Sequence, residues 1–197
     1  MTAPEQRLRP ALFLDRDGVI NEEVSYLYRT EDCVLVPGIA SLLRTATQLG
    51  YFICVVTNQA GIGRGLYTEA DFEALMAHIA AELAREDAHL DAVYFSPFHP
   101  VFGVGEYQRE STCRKPAPGM LLRAAEEHGL DLAKSVLVGD RCSDLMAGRA
   151  AGLQQMFLFG TTEDTPCVVD FSYGRAWELC SVEQALIATS PIKAGCE

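Results

Sequence analysis

The 197-residue chain predicts a doubly wound α/β domain, and three observations carry that expectation. Short apolar runs, each bounded by turn or charged residues, alternate along the chain with helical periodicities, and no linker, repeat or low-complexity tract interrupts the alternation. Runs of this kind, apolar without a polar alternate face, are what strands buried on both sides of a parallel sheet look like. At 49% hydrophobic content the chain is also long enough to bury one sizeable core, so a single domain is expected.

The elements follow in order. Residues 1–10 are polar and proline-bearing and are expected to form a flexible N-terminus. Ala11-Leu12-Phe13-Leu14 is the first strand. After Pro37-Gly38, the positions Ile39, Leu42, Leu43, Ala46 and Leu49 repeat at helical spacing and stop at Gly50. Phe52–Val56 is the second strand. Thr68 and Asp71 imitate a capping box, and behind them Phe72, Leu75, Met76, Ile79, Ala80 and Leu83 make one apolar helix face. Ala92–Phe95 is a third strand, and a helix opens around Pro118 and ends at Gly129. Ser135–Val138 and Gln155–Phe159 complete the strands, with a short helix between them over 143–151. Residues 161–175 read as a loop, Ala176–Leu179 as an edge strand, and Ser181 with Gln184 as the cap of a last helix reaching Ala188. The domain is thus expected over 11–188, with a tail over 189–197. Its sheet is expected to be mainly parallel and Rossmann-like, flanked by helices and without a large cap domain.

Composition narrows the function. A formal charge of -11 and a pI near 4.8 repel polyphosphate backbones, so no nucleic-acid partner is expected. Ala11–Leu14 is too short for a signal-peptide core or a membrane span, which leads us to expect a cytoplasmic protein with no membrane partner. The seven cysteines are odd in number and scattered, without the two-residue spacing of a metal knuckle, and reduced thiols are expected.

In a doubly wound sheet ligands bind beyond the carboxyl ends of the strands, so the residues just after each strand matter most. The first strand delivers Asp15-Arg16-Asp17-Gly18, two carboxylates two residues apart, which in an extended segment point the same way. A hard cation with oxygen ligands is the natural partner for such a pair, although an acidic turn has the same composition. The second strand ends in Thr57-Asn58, a hydroxyl and neighbouring amides able to hold phosphoryl oxygens. The fourth ends in Gly139-Asp140, with Asp144 four residues on. Asp140 can complete a magnesium site with Asp15, and Asp144 can support it or simply cap its helix. Lys115 is one of only three lysines, with 134 and 193, so its place in Cys113-Arg114-Lys115-Pro116 is not surface clutter. An ammonium there would offset the charge of an incoming phosphate.

Asp15-Arg16-Asp17-Gly18, Thr57-Asn58-Gln59, Lys115-Pro116 and Gly139-Asp140 through Asp144 together resemble, in order, the four motifs of the haloacid dehalogenase-like phosphatases. More narrowly, Thr57 to Gly65 and Cys113-Arg114-Lys115-Pro116 resemble the D-glycero-D-manno-heptose 1,7-bisphosphate phosphatases and the related histidinol phosphatases. The resemblance spans about residues 11–160 and continues weakly to Ala185. It implies Asp15 as nucleophile, Asp17 as general acid and base, and Mg²⁺ held by Asp15, the Asp17 carbonyl and Asp140. It also implies Thr57, Asn58 and Lys115 on the phosphoryl group, and substrate contacts from Arg64 and Arg114, with Arg16 and Arg141 nearby. The second carboxylate separates this pattern from the dehalogenases, because an alkoxide leaves only with a proton.

The pattern has one gap. Heptose bisphosphatases commonly carry a structural zinc on three cysteines and a histidine, and the corresponding positions here are Ser96, Phe98, Ser111 and Cys113. A closed zinc site needs four such ligands and His99 does not repair the set, so no zinc is expected. Phe98, Phe102 and Tyr107 are expected to fix the loop by packing. The expected substrate is a small phosphorylated sugar, heptose 1,7-bisphosphate losing its C7 phosphate. Histidinol phosphate or another sugar phosphate is the alternative within the class, and a catalytically silent sugar-phosphate-binding protein the alternative outside it.

Overall fold

The structure, a computed structural model, describes residues 8–160 and 167–189. Six parallel strands, β1 (Ala11–Leu14), β2 (Phe52–Asn58), β3 (Ala92–Ser96), β4 (Val136–Gly139), β5 (Gln155–Phe159) and β6 (Gly174–Ala176), form one sheet in the order β3-β2-β1-β4-β5-β6. The order reverses direction at β1, so the crevice beyond β1 and β4 is the topological switch point.

Both sheet faces are covered. Alternate residues of β1 go to opposite sides: Leu12 and Leu14 join one buried cluster with helices α1 (Ile39–Gln48), α3 (Glu69–Ala84) and α6 (Leu179–Thr189). Ala11 and Phe13 join the other, with α4 (Gly119–His128) and α5 (Cys142–Ala151). This two-sided burial is why the strands read as unbroken apolar runs. A one-turn helix, α2 (Ala60–Gly63), follows β2 and had no periodicity to announce it. The expected capping box of α3 is present: Asp71 N donates to Thr68 Oγ1 at 3.1 Å and Thr68 N to Asp71 Oδ2 at 2.8 Å. No helix among the described residues is long and apolar enough to cross a membrane.

Three expectations are corrected. The edge strand lies at Gly174–Ala176, not Ala176–Leu179, because Ala176 is the last residue that is both paired and buried, whereas Trp177 is exposed. The last helix begins at Leu179, ahead of Ser181, because Leu179, Val182 and Leu186 form the buried stripe that holds it to the core. Ser181 is then an exposed first-turn residue whose N–H donates to Glu178 O at 3.1 Å, not a cap. Finally, Cys142 and Cys167 are joined as a disulfide across 25 residues, with Cα atoms 5.3 Å apart, where reduced thiols were expected. Spacing in sequence carries no information on that distance. Cys33, Cys54, Cys113 and Cys180 are free thiols, and Cys196 lies outside the described residues, as do 161–166 of the expected loop and 190–197 of the tail. Within the expected flexible N-terminus, Arg9 pairs with Leu130 and its guanidinium lies 4.4 Å from the centre of the Phe52 ring.

Candidate active site

The site is assembled from strand ends. Asp15 follows β1 directly, and its N–H donates to Val138 O at 3.0 Å, which latches it to β4. Asp140 follows β4, and Asp144 stands on the first turn of α5. Ligand oxygens of these three carboxylates lie within 4.8 Å of one another. Lys115 reaches in from the segment before α4: its Nζ is 3.0 Å from Asp15 Oδ2, 2.6 Å from Asp144 Oδ1, and donates to Val56 O at 2.8 Å. Asn58 fixes the approach of that lysine. Its amide accepts from Lys115 N and donates to Lys115 O, both at 3.0 Å, so its side chain grips the lysine backbone.

Burying three carboxylates together is costly, and the electrostatics record it. Burial, with the negative charge of Asp144 beside it, pushes the Asp15 carboxyl up against the opposing pull of Lys115. Burial, then Asp15 and Asp144, push Asp140 up to about 7. Burial alone would push the Lys115 ammonium down, but Asp144 and Asp15 outweigh it and its net direction is up. Asp140 Oδ1 is buried without a hydrogen-bond partner. A convergent set of carboxylates with an orphaned oxygen fits a hard divalent cation, whose charge would reverse the like-charge penalty. Asp144 caps α5, accepting from Arg141 N at 2.9 Å, and its other oxygen pairs with Lys115 at 2.6 Å.

Asp17 is not one of the three convergent carboxylates and has its own set of partners. It accepts from Arg16 Nη2 at 2.7 and 2.8 Å, from Asn21 Nδ2 at 3.2 Å and from Gln59 Nε2 at 3.0 Å. Arg16, expected near the substrate contacts, lines the same cavity as Arg64, Arg114 and Arg141 but is almost fully buried, with Nη2 also on Leu27 O at 3.1 Å. A cation sealed under its own neighbour's carboxylate is a clamp for that carboxylate, and a side chain's orientation is not legible from its motif.

Asp15, Asp17, Thr57, Arg64, Arg114 and Arg141 all line one cavity of about 470 Å³. Their engagements differ. Arg64 lies between the Tyr26 and Phe102 rings, 5.2 and 5.1 Å from their centres, and hydrogen-bonds the Tyr26 hydroxyl. Arg114, half-buried, donates to Phe98 O at 3.1 Å. Arg141 is spread between Glu23 at 3.3 Å and Asp140 at 3.5 Å. Sequence reasoning gave no role to Gln59, Tyr67 or Asn21. The one available signal was an amide side chain directly after the Thr57-Asn58 strand end.

The loop after β3 is held without any Cys/His cluster among the described residues. The Phe98 and Tyr107 rings pack at 6.0 Å, as expected, and Arg109 covers Phe98 at 4.1 Å. Phe102 plays a different part, exposed and tilted against His99 with ring centres 4.9 Å apart. Hydrogen bonds from backbone N–H groups finish the work: the His99 side-chain Nδ1 accepts from Phe102 N at 3.0 Å, and Val104 N donates to Gly63 O at 2.7 Å.

A family model for HAD-hydrolase-like proteins matches residues 112–165. The D-glycero-alpha-D-manno-heptose-1,7-bisphosphate 7-phosphatase of Burkholderia mallei is 52% identical over 143 residues, 73% of this chain and 76% of that protein. The D-glycero-beta-D-manno-heptose-1,7-bisphosphate 7-phosphatase of Escherichia coli K12 is 41% identical, over 88% of this chain and 90% of that protein. Among solved structures, the D,D-heptose 1,7-bisphosphate phosphatase of B. bronchiseptica, complexed with magnesium and phosphate, superposes with a TM-score of 0.80. It is 28% identical, and the match covers 91% of this chain and 98% of that one.

Proposed function

The chain belongs to the haloacid dehalogenase-like phosphatases, in their heptose bisphosphate phosphatase branch, and from that membership we propose that it removes the C7 phosphate of D-glycero-D-manno-heptose 1,7-bisphosphate. The observation that carries this reading is the Lys115 ammonium 3.0 Å from Asp15 Oδ2, on a cavity that four arginines, Arg16, Arg64, Arg114 and Arg141, also line. In a protein of net charge -11, that concentration of cations attracts a compact polyanion.

In this mechanism an Asp15 carboxylate oxygen attacks phosphorus in line with the C7–O bond. Lys115 and the Thr57 hydroxyl hold the equatorial oxygens, while amides near Asn58 complete the cradle. As the P–O bond breaks, Asp17 gives its proton to the departing alkoxide, leaving an aspartyl phosphate on Asp15. A water then attacks that phosphorus and loses its proton to Asp17, which releases inorganic phosphate and restores both carboxyl groups. Asp15, the Asp17 carbonyl and Asp140 would hold Mg²⁺, whose charge would offset that of the nucleophile and the phosphate. Arg64 and Arg114 remain for the distal phosphate.

The test is phosphate release from heptose 1,7-bisphosphate of both anomers and from histidinol phosphate, with Mg²⁺ and with EDTA. Turnover is expected on a heptose bisphosphate, to stop in EDTA and return with Mg²⁺. Asp15→Asn and Asp17→Asn are expected to abolish it while keeping the fold, since each is nearly isosteric. A folded Asp15→Asn protein that releases phosphate at the native rate overturns the mechanism. Preference for histidinol phosphate overturns the heptose assignment alone.

A further inference from the structure

Gln59 occupies the turn between β2 and α2 and is buried, and its side-chain amide is fully engaged. Nε2 lies 3.0 Å from Asp17 Oδ2 and 2.9 Å from Thr57 Oγ1, and Oε1 lies 2.6 Å from the Tyr67 hydroxyl. The orientation of the amide follows from the chemistry of these partners. Asp17 Oδ2 already accepts from Arg16 Nη2 at 2.8 Å, so the NH₂ end of Gln59 must face it, and the carbonyl end then faces Tyr67, whose hydroxyl must donate. A buried phenol pushed up to about 12 by desolvation keeps that donor proton at any working pH.

The arrangement has a consequence at Thr57. Its oxygen receives one hydrogen from Gln59, so its own hydroxyl proton is left for another acceptor. Thr57 lines the cavity over Asp15, where the acceptor of the proposed reaction is a phosphoryl oxygen. One amide group therefore sets both the hydroxyl that meets the phosphoryl group and the carboxylate that meets the leaving oxygen.

Tyr67 is itself held in place. Its ring stacks on Tyr28 at 5.6 Å with an interplanar angle of 11°. It occupies space that opens because residue 61 is glycine: a Cβ on Gly61 would lie 2.1 Å from the Tyr67 ring. The short helix α2 thus delivers a backbone with no side chain against the ring whose hydroxyl locks Gln59.

We infer that Gln59, locked by Tyr67, is a positioning residue of the reaction, coupling the aim of the Asp17 carboxyl to that of the Thr57 hydroxyl. The inference rests on the phosphatase mechanism proposed above and adds to it the part that keeps acid and phosphate clamp in register. A merely structural glutamine, present to satisfy buried polar groups, would on removal lower stability without favouring one leaving group over another.

The experiment uses Gln59→Leu and Tyr67→Phe in the full-length protein with Mg²⁺, first checked for folding by circular dichroism and thermal melting. First-turnover rates are measured on heptose 1,7-bisphosphate as the alkyl phosphate ester and on p-nitrophenyl phosphate, whose leaving group departs without a proton. Gln59→Leu is expected to slow the alkyl ester about 10- to 100-fold, as lost outer-shell contacts commonly do, with KM little changed. The aryl ester should lose less, because it needs the Thr57 hydroxyl but not the acid. Tyr67→Phe keeps the ring and its stack, so it should fold even where Gln59→Leu does not, and it should show the same ordering at about 3- to 10-fold on the alkyl ester. Equal losses on the two esters, a loss confined to KM, or native rates in folded Tyr67→Phe overturn the inference. A wild-type protein that releases phosphate from neither ester overturns the proposed function instead, which separates the two failures.

Discussion

Asp140 carries the most informative single oxygen, because Oδ1 is buried and unpartnered while its carboxyl is pushed up to about 7 by burial, then by Asp15 and Asp144. Its folded value lies above its unfolded one, so the stability it allows is full at pH below about 4 and is lost as pH rises through about 7. In chelator the melting temperature should therefore fall as pH is raised from about 5 to about 8, and Asp140→Asn should make that fall shallower. The same substitution should remove most of the stabilisation that added Mg²⁺ gives at the upper pH. An unchanged slope in Asp140→Asn would place the strain elsewhere. The arginines make a second expectation at this scale. Arg64 and Arg114 have no carboxylate partner within ion-pairing distance among the described residues, whereas Arg141 is held by Glu23 and Asp140. Arg64→Ala and Arg114→Ala should each cost about 1.5 to 3 kcal/mol in kcat/KM on the bisphosphate and much less on the 7-phosphate. Equal losses on the two substrates would show that neither reads the distal phosphate.

At the scale of elements, the start of α5 is where packing and chemistry meet. Gly139 ends β4, and a Cβ there would lie 2.3 Å from the Asp144 Cβ, in the first turn of the helix that carries the ion pair to Lys115. Gly139→Ala should displace that turn, costing about 1 to 3 kcal/mol in urea unfolding and most of the phosphatase activity. Native activity would mean the helix yields without moving Asp144. Helix α3 offers the contrast, since its capping box is exposed and neither Thr68 nor Asp71 lines the cavity. Thr68→Ala should lower stability by about 1 kcal/mol and leave kcat/KM at the native value.

Across the whole molecule the sheet divides the core in two. Ile79 of α3 and Leu121 of α4 are both fully buried, but they belong to clusters on opposite faces. Ile79→Val should cost about 0.5 to 1.5 kcal/mol and Leu121→Ala about 2 to 5. Their effects should add to within about 0.5 kcal/mol in a double-mutant cycle, because no packed side chain is shared. A larger coupling would show that the strands transmit strain between the faces.

The sequence by itself determined the elements whose apolar pattern is periodic or unbroken: β1 to β5, α1, α3 and α4, and with them which residues stand at strand ends. That sufficed to bring Asp15, Thr57 and Asp140 to one crevice, since the order of strands and helices constrains where carboxyl ends meet. It did not determine α2, which is too short for a period, or the start of α6, where burial of Leu179 outweighs the capping signature at Ser181. Side-chain aim was decided by tertiary structure alone. Asp15 and Asp17, two residues apart, take different partners, Lys115 for the one and Arg16 for the other, and Gln59 acquires its partners only when Asp17, Thr57 and Tyr67 come together. The Cys142–Cys167 contact arises in the same way. Periodicity reports which face of an element is buried, whereas a hydrogen bond between distant residues depends on where the packed core sets their backbones, and no local pattern encodes that distance.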